Sequence, residues 1–164
     1  MLNLIKNRIK LLYAQLLAMA NVATPQGEKI FHYAWKLIGT DASPKDIASD
    51  EYGCAESVST ILADLFPPFQ VVTGTYTLFM TLKGVPEFVE VSSPLAGDIV
   101  ISPTGFGGRG GILNGHVGIV GQNRIIMSNN SLTGKWDIHY TLDSWRERYQ
   151  VLGGYPVKFF RRIL

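Results

Sequence analysis

Cysteine is nearly absent from this chain: one thiol, Cys54, stands in 164 residues. A single cysteine excludes an internal disulfide, and with it the small disulfide-stapled scaffolds. It also excludes a cluster of thiolate metal ligands. Charge is sparse as well, at 17% of residues with a formal net of +2. That excess is too small to argue for nucleic acid, and a hydrophobic content of 46% does not fit a disordered chain. No uninterrupted apolar run reaches the roughly 20 residues of a membrane span. The three histidines and the carboxylates show none of the paired spacings of zinc sites, so neither metal nor cofactor is expected. The segment TGFGGRGGILNG (104–115) lacks the Gly-Lys-Ser/Thr of a phosphate cradle and precedes a strand. A flap beside a cleft, with Phe106 and Arg109 as substrate contacts, or a plain long loop fits it better.

What is present reads as one loop-rich α+β domain, with seventeen glycines and eight prolines marking the turns. The chain divides at a Thr-Pro break into an N-terminal segment, 1–24, and a main domain, 25–164. Within the first, Lys6, Arg8 and Lys10 precede an apolar stretch that ends in Ala18-Met19-Ala20, as in a secretory signal. The spacing of Leu4, Leu11, Leu12 and Leu16 equally suits an amphipathic helix, docked on the domain or in peripheral contact with a membrane.

Helices are expected from Gln26 to Leu37, from Cys54 to Leu65 and from Thr75 to Lys83. From residue 87 onward the period changes to that of strands: EFVEVS, DIVIS, HVGIV and RIIMS. The Gly121–Asn123 link is a hairpin signal. A helix over Asp143–Tyr149 and a strand over Pro156–Phe160 close the chain.

Cys54 follows Gly53 at the start of the second helix. Unpaired N–H groups and the positive end of the helix dipole favour an anion there, which predicts a thiol pKa lowered toward ~7 and an oxyanion site in the same turn. Gly53 leaves room for a substrate backbone, and Tyr52 is placed to line the cleft or assist the oxyanion. His116 opens the strand HVGIV and is the candidate general base. A third group must orient its ring. Ser128, Asn129 and Asn130 on the next strand are candidates, with Asn130 preferred, then Ser128. Asp46, Asp50, Glu51 and Glu56 read as a solvated acidic run, and Asp98 as a turn cap.

The order GCAESVSTIL, PLAGDIVIS, GHVGIV and a polar residue on the following strand resembles the papain-like NlpC/CHAP superfamily, over roughly residues 28–150. The stretch SNNS-x-TG-x-W is similar to small phage lysin-like members. Ala55-Glu56 after the cysteine and Gly53 before it depart from the local motifs of both subfamilies. The resemblance implies N-terminal helices packed on an antiparallel sheet, with Cys54 as nucleophile, His116 as base and Asn130 as the orienting residue. The implied activity is hydrolysis of an amide bond in a peptidoglycan peptide stem through an acyl-enzyme, at the cell envelope or outside the cell. The alternatives are a deamidase, acyltransferase or peptidase built on the same site, and a non-catalytic wall- or peptide-binding module. A phage structural component carrying this domain is a third.

Overall fold

In a computed structural model of the chain, the structure describes residues 8, 9, 12, 16, 21–45 and 53–164. Most of the N-terminal segment, and Asp46, Asp50, Glu51 and Tyr52, lie outside the described residues. Among those described, no helix is long and apolar enough to cross a membrane.

Three helices lead the domain: α1 (Pro25–Lys36), α2 (Gly53–Leu65) and α3 (Thr75–Gly84). Thr24 caps α1, its hydroxyl accepting the Gly27 N–H at 3.0 Å, while Pro25 occupies the first turn, where no N–H is needed. The buried face of α2 carries Cys54, Ala55, Val58, Ile61 and Leu62. This is the i, i+1, i+4, i+7, i+8 stripe of a helix lying on a core, and each larger aliphatic side chain contributes about 1.5–3 kcal/mol by leaving water.

The sheet has six antiparallel strands in the order β1-β6-β2-β3-β4-β5: β1 (Phe88–Val91), β2 (Ile99–Ser102), β3 (His116–Val120), β4 (Ile125–Asn130), β5 (Lys135–Thr141) and β6 (Lys158–Arg162). A short helix α4 (Leu142–Trp145) continues into a π-helical turn (Arg146–Leu152) before β6. Strand β5 was not expected, although Trp136, Ile138 and Tyr140 alternate with polar residues as a half-buried strand should. The Gly121–Asn123 link tightens β3 into β4, with Asn123 and Arg124 at positive φ (54° and 62°).

Alternation along the strands separates two cores. Ile99, Ile101, Val117, Ile119 and Met127 join Cys54 and the helices in one. Val100, Val120 and Ile126 face the other way and pack with Trp145, Tyr149 and Tyr155. Strands β3 and β4 are paired only at Ile119↔Met127 and Val120↔Ile126, whereas β4 stays paired with β5 out to Asn130↔Lys135. The β3–β4 ladder thus stops short of His116.

Asp98, the expected turn cap, does more than cap. Its carboxylate accepts the Leu95 N–H at 2.7 Å and pairs with the Arg161 guanidinium at 2.7–3.3 Å, both side chains being 1% exposed. Burial pushes the carboxyl's pKa up, while the guanidinium and the Leu95 N–H oppose that rise. Removing one partner of such a pair strands the other's charge. Asp98→Ala should therefore lower unfolding stability by ~3–5 kcal/mol in urea titrations; a loss below about 1 kcal/mol would show that the pair does not hold this end of the sheet.

Candidate functional site

Cys54 lies in the first turn of α2 and is 5% exposed. Its sulfur is faced by backbone N–H groups of Val117, Ala55 and Cys54 itself. These favour the thiolate, as expected of a helix start. Burial outweighs them, and the thiol is pushed up to about 11 rather than down. The expectation of a lowered thiol pKa counted the helix dipole but not the closed cover over the sulfur.

Gly53 is required by space. A Cβ built there would lie 2.7 Å from the Ala42 carbonyl oxygen and 2.8 Å from Asn129 Nδ2. The Asn129 side chain, 1% exposed, donates to that same Ala42 oxygen at 2.6 Å, and so ties β4 to the chain running alongside β5.

His116 opens β3 and is 8% exposed. Its ring stacks on Trp145 (centroids 5.2 Å apart, 24° between planes) and on Tyr149 (5.7 Å, 21°), with Tyr140 and His139 at 6.0 and 6.2 Å. Trp145 is itself anchored, its indole N–H donating to Ser102 Oγ at 3.1 Å. Ser102 is the register partner of His116 across β2 and β3. The ring's Nε2 meets Ser128 Oγ at 3.2 Å. Gly118 allows this closeness, because a Cβ there would lie 3.0 Å from the Ser128 Cβ and 2.8 Å from the Met127 oxygen. Burial chiefly, then the charges of His139 and Arg148, lower the ring's pKa to about 3, so it is neutral at physiological pH.

The structure thus joins His116 to Ser128, and Gly53 to Asn129, and shows no hydrogen bond between the ring and Asn130 among the described residues. The Asn130 Oδ1 accepts the Leu132 N–H at 3.1 Å and shapes the β4–β5 turn. Cys54, in α2, meets β3 at the Val117 backbone, one residue along the chain from His116, but the two side chains belong to opposite faces of the sheet, and no hydrogen bond joins thiol and ring among the described residues. No cluster of three or more His, Cys, Asp or Glu suited to a metal is present among the described residues.

On the His116 side, a cleft of about 310 Å³ is lined by the 111–115 stretch of the glycine-rich loop and by His139, Tyr140, Arg148 and Tyr149. Phe106 does not reach this cleft; it packs on Tyr76 and Phe79, and Arg109 reaches the Val151 carbonyl. Trp145, Arg148 and Tyr149 had no sequence signal beyond an aromatic and basic helix, SWRERY, and Ser102 none beyond the end of the strand run DIVIS. His139 and Tyr140 could be placed only once β5 was recognised as a strand.

A buried neutral imidazole has a stability consequence. The folded pKa, about 3, is below the ordinary 6.5, so the ring's contribution is complete above pH 6.5 and is lost as pH falls toward 3. Urea midpoints should fall across this window, and His116→Gln should flatten the fall. An unchanged acid limb in that variant would refute the neutral, buried assignment.

No protein-family model matches the chain, and no curated protein does. Among solved structures, a chain from the type VI native effector–immunity complex Tae3–Tai3 of Ralstonia pickettii is similar. It has a TM-score of 0.53 and 18% identity over 83% of this chain and 98% of that one. At that identity the likeness is one of fold: an α+β arrangement of helices and a six-stranded antiparallel sheet.

Proposed function

We propose that the domain is a cysteine-dependent hydrolase of an amide bond in peptidoglycan, working at the cell envelope or outside the cell. One observation carries the reading: Cys54 starts a helix with its sulfur against three backbone N–H groups, one of them that of Val117, the residue after a histidine backed by Ser128. The amides that face the sulfur are the kind of donor that stabilises an acyl-transfer oxyanion. In this reading Cys54 attacks the carbonyl and His116 takes the thiol proton and returns it to the leaving amine. Water then releases the acyl group from the enzyme. Ser128, with Asn130 as the alternative, orients the ring. The NlpC/CHAP-like motif order supports the same assignment, and the neighbour's pairing of an effector with an immunity protein makes a protein partner a further expectation.

The mechanism demands that ring and thiol come within hydrogen-bond reach when substrate binds. Because the two side chains belong to opposite faces, that step requires the His116 ring to leave its stack on Trp145 and Tyr149 and turn toward α2. A second reading, a non-catalytic wall- or peptide-binding module, draws on the resting chemistry: a protonated thiol, a neutral ring and no bond between them.

Two measurements separate the readings. Purified peptidoglycan should release muropeptides with the wild type and not with Cys54→Ser, and Ser128→Ala should reduce release more than Asn130→Ala does. In the absence of substrate, alkylation of Cys54 by iodoacetamide should be slow at pH 7 and rise about tenfold per pH unit toward pH 11. Release that survives Cys54→Ser would overturn the cysteine mechanism, and no release by the wild type would favour the binding module.

A further inference from the structure

We propose that the cleft beside His116 is a recognition site for a free peptide carboxylate, with Arg148 as the residue that binds it. This deepens the hydrolase reading by naming a feature of its substrate, and rests on that reading for the bond cut but not for the binding itself.

The argument begins with an imbalance of charge. The cleft is about 310 Å³, and among the described residues no Asp or Glu lines it. Among the described lining residues the one formal charge is Arg148, which makes no ion pair with a carboxylate among the described residues. The guanidinium lies 5.7 Å over the Tyr149 ring, and the Tyr149 hydroxyl interacts with both Arg148 and Tyr140. The guanidinium thus spends part of its donor set on the Tyr149 hydroxyl and has no carboxylate partner among the described residues. A carboxylate is the planar, two-oxygen partner that a guanidinium fork takes in bidentate fashion.

The other walls add hydrogen-bonding groups, and the Asp137 carboxylate, which acts on His139, is not among the described lining residues. Tyr140 and Tyr149 bring hydroxyls, and Asn114 brings an amide from the glycine-rich loop. His139 brings a ring whose buried Nδ1 has no hydrogen-bond partner. The position fits the proposed chemistry, because the same cleft is lined by His116. A peptide held by its carboxylate at Arg148 would therefore be held beside that ring.

The test uses the full chain with Cys54→Ala, so that binding is read without turnover. Two probes are titrated by calorimetry: the stem peptide acetyl-L-Ala-γ-D-Glu-L-Lys-D-Ala with both carboxyls free, and the same peptide with both amidated. The free acid should bind at least about tenfold more tightly, or about 1.4 kcal/mol. Arg148→Met should bring the two probes within about twofold of each other, and Arg148→Lys should keep part of the preference. Tyr140→Phe, which keeps the ring and removes the hydroxyl, should weaken the acid selectively and serves as the second variant if Arg148→Met does not fold. Equal binding of acid and amide, no binding of either, or a preference untouched by Arg148→Met would overturn the proposal. Equal competition by inorganic phosphate would overturn the assignment to a carboxylate. If the acid preference holds while wild type releases no muropeptides, the hydrolase reading falls and the carboxylate site stands; the reverse result removes the site alone.

Discussion

The Asp98–Arg161 pair is the constraint on which the sheet's geometry depends. Arg161 sits in β6, the strand between β1 and β2, and its guanidinium also reaches the Ser93 carbonyl and the Asn21 side chain. Asp98 stands at the foot of β2, and its backbone oxygen accepts the Val120 N–H at the end of β3. One buried contact therefore fixes the lead into α1, the turn before β2 and the β2–β3 register together. Buried ion pairs contribute little net stability compared with a well-packed apolar pair, and what this one secures is a single arrangement. The consequence appears at the far end of β3, where His116 is delivered with its ring on one face and Val117 on the other.

The helical half of the domain was legible in the sequence because its signals are local. Thr24-Pro25 marks a helix start, the stripe through Val58, Ile61 and Leu62 marks a buried face, and α3 follows its apolar pattern. Strands β1 to β4 were legible from their apolar runs, and β3 matches His116–Val120 at both ends. Strand β5 was hidden because its polar face, with Lys135, Asp137 and His139, dilutes the alternation, and because the preceding SNNS-x-TG reads as a turn. The helix expected over Asp143–Tyr149 divides in the structure into α4 and a π-helical turn.

The site was legible as a set of residues and not as a geometry. Cys54 and His116 stand out by their neighbours in the chain, but which face of β3 each meets depends on pairing and packing. The third group shows the limit well. Counting along a hairpin does not settle which residue lies beside His116, and the sequence reading ranks Asn130 ahead of Ser128; β3 and β4 pair only at their turn end, and the side chain bonded to the ring is that of Ser128. The thiol's pKa shows the other limit, since a dipole can be read from a helix start but desolvation can be read only from a folded interior.

The Ser128-Asn129 step makes β4 a part shared by two compartments. Ser128 serves the histidine side and Asn129 braces the cysteine side, so neither compartment can be rebuilt independently of the other. Because a strand's side chains change faces at every residue, a one-residue insertion or deletion in the Gln122–Arg124 turn that shifts this strand would break both roles at once, setting Asn129 against the imidazole and Asn130 beneath Gly53 in one direction, or Met127 and Ser128 in the other. The length of that turn is thus a determinant of the chemistry at a distance, and loop-length variation among natural or designed relatives should be tolerated in the 105–115 flap far more readily than in this three-residue connection.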